Sequence, residues 1–122
     1  MPGMSFNFDS YRAACESRST AAWLAFYADD AQWLEYREDP LLLVSRAVGR
    51  AAIGETLTEL GRWPDLLAIE EPEVDMDRIR FRALSRPAGG RRMVDRVMLT
   101  IAGDRIQRQV SVVAFDDSRG EA

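Results

Sequence analysis

The chain contains no histidine and no lysine; its 16 basic residues are all arginine, and it carries a single cysteine. Each absence removes a chemistry. Without histidine there is no Ser-His-Asp triad, no Cys-His dyad and no His-ligated zinc centre. Without lysine there is no Schiff-base amine and no phosphate-loop lysine. Acid–base work near neutral pH falls to carboxylates, tyrosines or Cys15, with pKa values moved by their surroundings. No cofactor-binding motif or metal-ligand spacing stands out, and neither group is expected. Cys15 has no partner within the chain, which suits a reducing compartment. Uncharged apolar runs such as Leu41 to Val44 are far too short to span a bilayer. Met1-Pro2-Gly3-Met4-Ser5 does not read as a signal peptide. A cytoplasmic protein with no membrane partner is expected. The net charge of −4 argues against nucleic acid as the main partner.

What is present is an ordinary globular composition. The chain has 122 residues, of which 47% are hydrophobic and 30% charged, enough for one core without disulfides or metals. No repeat or linker divides it, so residues 1–122 read as one domain. Asp9 is a natural N-cap for a first helix to about Arg18, with Tyr11, Ala14 and Cys15 on its apolar side. Ser19 or Thr20 caps a second helix through Trp23, Leu24, Phe26 and Tyr27, ending at Asp29-Asp30. Ala31 to Arg37 reads as a strand with Trp33, Glu35 and Arg37 on one face. A loop marked by Pro40 runs to Gly49. Arg50 to Arg62 is a third helix, with Ile53, Leu57 and Leu60 in helical spacing.

The second half reads as β-structure. Leu66 to Ile69 is a weak strand, and Arg78 to Ser85 alternates cleanly between arginines and apolar residues. Pro87-Ala88-Gly89-Gly90 and Ala102-Gly103-Asp104 are turns around a long strand from Arg91 to Ile101. Arg105 to Phe115 is the last strand. Helices first and hairpins last make an α+β domain, with helices on one face of a curved antiparallel sheet.

One residue breaks the pattern. Asp95 falls in phase with Met93, Val97, Leu99 and Ile101, so strand alternation points it toward the core or a cavity in it. A carboxylate there must be paired, hydrogen-bonded or protonated. Glu35 shares a mid-strand face with Trp33, and Tyr11 brings a hydroxyl to the apolar side of the first helix. These three are the candidate chemical groups.

The segment Phe26-Tyr27-Ala28-Asp29-Asp30-Ala31-Gln32-Trp33 resembles the entry to the first strand in the nuclear transport factor 2-like superfamily. That superfamily includes ketosteroid isomerases, SnoaL-like cyclases and limonene epoxide hydrolases. Val48-Gly49-Arg50-Ala51-Ala52-Ile53 is similar to the glycine-plus-helix start that follows. Gly103-Asp104-Arg105-Ile106 through Val113-Ala114-Phe115-Asp116 is similar to the last hairpin. The resemblance implies a cone-shaped α+β fold, a bent sheet around about three helices with an internal apolar pocket. It also implies a homodimer formed through the sheet, for which Val110, Val112 and Ala114 are the outward-facing candidates.

Within the superfamily the chemistry looks most like that of the ketosteroid isomerases, a standard worked case of an Asp base with a Tyr and a protonated Asp as donors. Tyr11 precedes Tyr27 by 16 residues and Glu35 follows it by 8, which matches the spacing of the isomerase tyrosine and base. Asp95 precedes Gly103 much as the protonated aspartate precedes its glycine. The resemblance thus implies Glu35 as base and Tyr11 and Asp95 as donors. Trp23, Trp33, Arg37, Trp63, Met93 and Val97 would line the pocket around an apolar small molecule. Glu35 departs from the family's aspartate and reaches one methylene further; misplacement on that scale can cost ~10²-fold in rate. A non-catalytic ligand-binding or dimerisation module and a hydratase or epoxide-hydrolase-like enzyme remain alternatives.

Overall fold

The computed structural model describes residues 6–38, 40–61, 66–86 and 92–116. The first helix, α1 (Phe8–Ser17), begins one residue before Asp9. Asn7 is its cap: extended at φ −99°, it accepts from the Ser10 amide at 3.0 Å. Asp9 instead sits in the first turn, where its charge complements the helix dipole. Arg18 closes the helix in the left-handed region at φ 59°, its N–H donating to the Cys15 carbonyl at 3.0 Å.

The second helix, α2 (Thr20–Leu24), is capped by Ser19 and stops three residues short of Tyr27. Tyr27 already belongs to the first strand, β1 (Tyr27–Arg37). Tertiary pairing overrides helical spacing here. Tyr27 pairs with Ile106, whose amide donates to the Phe26 carbonyl at 2.7 Å. Asp29 and Asp30 are therefore strand residues rather than a helix end; Asp29 pairs with Arg50 at 3.4 Å.

The expected loop before Gly49 contains another strand, β2 (Leu42–Val48), antiparallel to β1. Leu42, Leu43 and Val44 are each about half exposed, because β2 is a sheet edge. Gly49 then turns the chain into α3 (Arg50–Gly61) at φ 92°, a conformation that favours glycine, with its amide on the Ala31 carbonyl at 2.8 Å.

The rest is β3 (Leu66–Ile69), β4 (Glu73–Asp75), β5 (Arg78–Arg86), β6 (Arg92–Ala102) and β7 (Arg105–Asp116). The seven strands form one sheet in the order β2-β1-β7-β6-β5-β3, with β4 on β5. The sheet is mixed, not wholly antiparallel: β1 and β7 run parallel. That pairing joins the helical half of the chain to the hairpin half. The turn expected at Pro87 to Gly90 lies outside the described residues.

Alternation divides the sheet into two faces. Tyr11 packs edge-on to Phe81 at 5.9 Å and Phe8 does so at 5.3 Å, so α1 covers one face. That face presents Trp33, Glu35 and Arg37 from β1, Gln109, Ser111 and Val113 from β7, and Asp95, Val97 and Leu99 from β6. Tyr11, Tyr27, Ile53, Leu57, Ile79, Leu99 and Ile106 are fully buried between it and the helices. The opposite face carries Arg80, Arg82, Arg96, Met98, Val110 and Val112 around an open groove of about 550 Å³. Arg82 and Arg96 are direct cross-strand partners there. Each is drawn to a carboxylate, Arg82 to Glu70 at 2.7 Å and Arg96 to Glu38.

Candidate active site

Three strands set the two candidate carboxylates. Glu35 on β1 pairs across with Ser111 on β7, which pairs with Val97 on β6. One row further, Arg37, Val113 and Asp95 lie side by side. Glu35 and Asp95 are thus diagonal across β7, on the helix-covered face, roughly two strand spacings (~10 Å) apart at the backbone. The charge of Glu35 still reaches across β7 and raises the pKa of Asp95.

Asp95 is the more perturbed. Burial first, and the Glu35 charge second, push its carboxyl from 3.8 up to about 7. Its Oδ1 is buried and accepts no hydrogen bond. Among the described residues no arginine charge offsets the rise, and alternation turns Arg92 and Arg96 to the other face. Glu35 is also raised by burial, but the Trp33 indole and the Arg37 guanidinium both oppose the rise. The Trp33 N–H lies beside the carboxylate without reaching good hydrogen-bond geometry. Arg37 is exposed at the rim, its guanidinium 5.4 Å from the centre of the Phe115 ring. The two carboxyls therefore differ in kind, one compensated and one not.

Tyr11 is brought to the same core but not directly to the carboxylates. Its hydroxyl lies in hydrogen-bonding reach of Cys15 and Tyr27, and burial raises its pKa well above the ordinary tyrosine value. Burial also pushes the Cys15 thiol up to about 12, although the Tyr11 hydroxyl beside it pulls the other way. The residue between Tyr11 and the carboxylates is Tyr27. Its hydroxyl donates to Gln109 Oε1, and Asp95 lies within its electrostatic reach. Gln109 Nε2 in turn donates to Ser111 Oγ at 3.3 Å.

Of the expected lining, Trp23, Trp33 and Val97 are buried and Met93 is half-buried. Trp63 lies outside the described residues. Sequence reading used Tyr27 only as a marker and passed over Gln109 and Ser111. A signal was available: in Arg105 to Phe115, Gln109 and Ser111 share a face with Val113, an odd place for polar residues unless they serve one another.

This arrangement of helices and sheet recurs in solved structures. An NTF2-like protein of unknown function from Mesorhizobium loti superposes with a TM-score of 0.74 at 19% identity, over 87% of this chain and 86% of that one. The chain has the NTF2-like, ketosteroid isomerase-like fold. A hypothetical protein with the ketosteroid isomerase-like fold from Catenulispora acidiphila, in complex with trimethylamine, matches the NTF2-like fold of this chain with a TM-score of 0.67 at 14% identity, over 85% of this chain and 82% of that one. A de novo designed protein with a curved β-sheet matches with a TM-score of 0.64 at 13% identity, covering 89% and 80%. A scan of family models finds no match, and a search of curated proteins finds none. No helix among the described residues is long and apolar enough to cross a membrane.

Proposed function

We propose that the chain is a small-molecule pocket protein that performs carboxylate acid–base chemistry, isomerase-like or cyclase-like, on an apolar metabolite. The observation that carries this reading is the inequality of Glu35 and Asp95. Two carboxyls whose surroundings separate them supply a base and an acid at the same pH. Glu35, raised by burial but with the rise opposed by Trp33 and Arg37, takes a proton from carbon next to a carbonyl. Asp95, uncompensated and raised to about 7, supplies a neutral donor to the developing oxyanion. Tyr11 acts with it through Tyr27. Trp23, Trp33, Met93 and Val97 supply apolar walls. The trimethylamine bound by the structural neighbour from Catenulispora acidiphila supports small-molecule binding on this fold.

Carboxyl-carbon NMR titration tests the assignment. Asp95 is expected to titrate near pH 7; a carboxyl already ionised at pH 5 would remove the donor role. A thermal-shift screen over steroids, terpenoids and polyketide-like aromatics tests the pocket, and no stabilisation by any of them would count against it.

A homodimer through the sheet is the expected assembly. Val110 and Val112 lie on the face away from the helices, beside the groove with Arg80 and Met98. Light scattering at micromolar concentration should give twice the chain mass; a monomer there would refute the dimer.

A further inference from the structure

The arginines of the sheet are sorted by face, and one stands apart. Alternation sends Arg78, Arg80 and Arg82 on β5, Arg92 and Arg96 on β6 and Arg108 on β7 to the face away from the helices. Among the described residues Arg37 is the one strand arginine on the helix-covered face, in the row Leu42, Arg37, Val113, Asp95. Its charge is not spent on a neighbour. Arg50, Arg82 and Arg96 each pair with a carboxylate. Arg37, among the described residues, has no ion pair and donates no hydrogen bond. Glu35, two residues away on the same face, feels it as the smallest of three influences. The Arg37 guanidinium carbon instead lies 5.4 Å from the centre of the Phe115 ring. A ring attracts the charge without accepting the five N–H groups, which stay available to a planar anion.

The surroundings decide which anion. Arg37 is exposed, so an anion reaches it from solvent at the rim and needs no opening in the core. The surface beside it is apolar. Leu42, across on β2, is about half exposed, and Phe115 and its cross-strand partner Met93 are half-buried. A cation beside apolar surface suits an organic acid better than a bare inorganic ion. The guanidinium fork matches a carboxylate through two parallel N–H bonds. Two residues along a strand span ~7 Å, so Arg37 engages a group remote from the carbon that Glu35 deprotonates.

We propose that Arg37 is a specificity-determining residue that receives a carboxylate of the substrate, so that the metabolite is an apolar oxo acid rather than a neutral ketone. Phe115 is a positioning residue that holds the guanidinium at the rim. The acid group docks there and turns the apolar, carbonyl-bearing part of the molecule toward Glu35. The proposal rests on the pocket reading above, and its test separates the two.

The test titrates the full chain with 4-oxocyclohexanecarboxylate, its methyl ester and cyclohexanone, followed by the Arg37 Nε–H signal and the Glu35 carboxyl carbon in NMR. The acid should bind about tenfold more tightly than the ester, and cyclohexanone should bind like the ester. Arg37→Gln should remove the preference for the acid and leave the ester unchanged. Arg37→Lys keeps the charge but loses the fork, and should retain part of the preference. The bound acid engages the cation that opposes the rise of Glu35, so the Glu35 pKa should move further up with the acid and not with the ester. Equal binding of acid and ester, a preference that survives Arg37→Gln, or a Glu35 titration unmoved by the bound acid overturns the carboxylate role and leaves the pocket standing. Binding of none of the three probes overturns both.

Discussion

Replacing Asp95 with asparagine isolates the most perturbed group in the molecule. Asparagine copies the shape of the neutral carboxyl and cannot ionise. In the native state the Asp95 carboxyl is raised from 3.8 to about 7. A raised acid binds its proton more tightly folded than unfolded, so the native state holds more protons between those two values. Stability must then fall as pH rises through that window, and level off above it. At ~1.4 kcal/mol per pH unit, the loss amounts to as much as ~4 kcal/mol. For a chain of this size that is on the order of 15 °C in Tm. The assay is thermal or urea unfolding of wild type and Asp95→Asn from about pH 4 to about pH 8, read as the difference between the two curves. The difference removes groups that titrate alike in both proteins. Wild type and variant should be similar near pH 4, and the variant should become the more stable as pH approaches 8. Parallel curves across that range would refute both the burial of an uncompensated charge and the acid role built on it.

Other outcomes follow from the same site. Glu35→Gln removes the charge that helps raise Asp95, so carboxyl NMR should show the Asp95 pKa falling toward its ordinary value; an unchanged titration would mean the two groups do not interact. Gln109→Leu leaves the Tyr27 hydroxyl without its acceptor and should cost ~1–3 kcal/mol in urea unfolding, whereas a neutral effect would mean the network is open to water. Cys15 is 1% exposed with its thiol raised to about 12, so a disulfide reagent at pH 8 should modify it only as fast as the chain opens. Immediate stoichiometric reaction would contradict that burial.

Much of the fold was legible in the chain because its periodicities are strong. β5 alternates from Arg78 to Ala83 and β6 from Arg96 to Ala102, and α3 carries its apolar residues at helical spacing, so their place and faces follow from local order. What was not legible lies where a neighbour outvotes the local pattern. The stretch from Phe26 to Asp30 continues a helix by spacing, but Ile106 draws Tyr27 into β1. Leu42 to Val48 has no two-residue alternation, since Ala47 alone among its side chains is buried, and pairing with β1 makes it a strand. The cap moved from Asp9 to Asn7 because capping depends on backbone angles that both residue types can adopt.

The sequence by itself determined which side chains could do chemistry here. With histidine and lysine absent, carboxyls and tyrosines were the available acids and bases, and alternation turned Asp95 inward. Only the tertiary structure decided how those groups differ. The parallel pairing of β1 with β7 brings the charge of Glu35 to bear on Asp95 and sets Ser111 on the strand between them, one row from Gln109 and its bond to Tyr27. The physical reason is that a pKa and a hydrogen-bond direction are properties of surroundings, and these surroundings come from strands far apart in the chain.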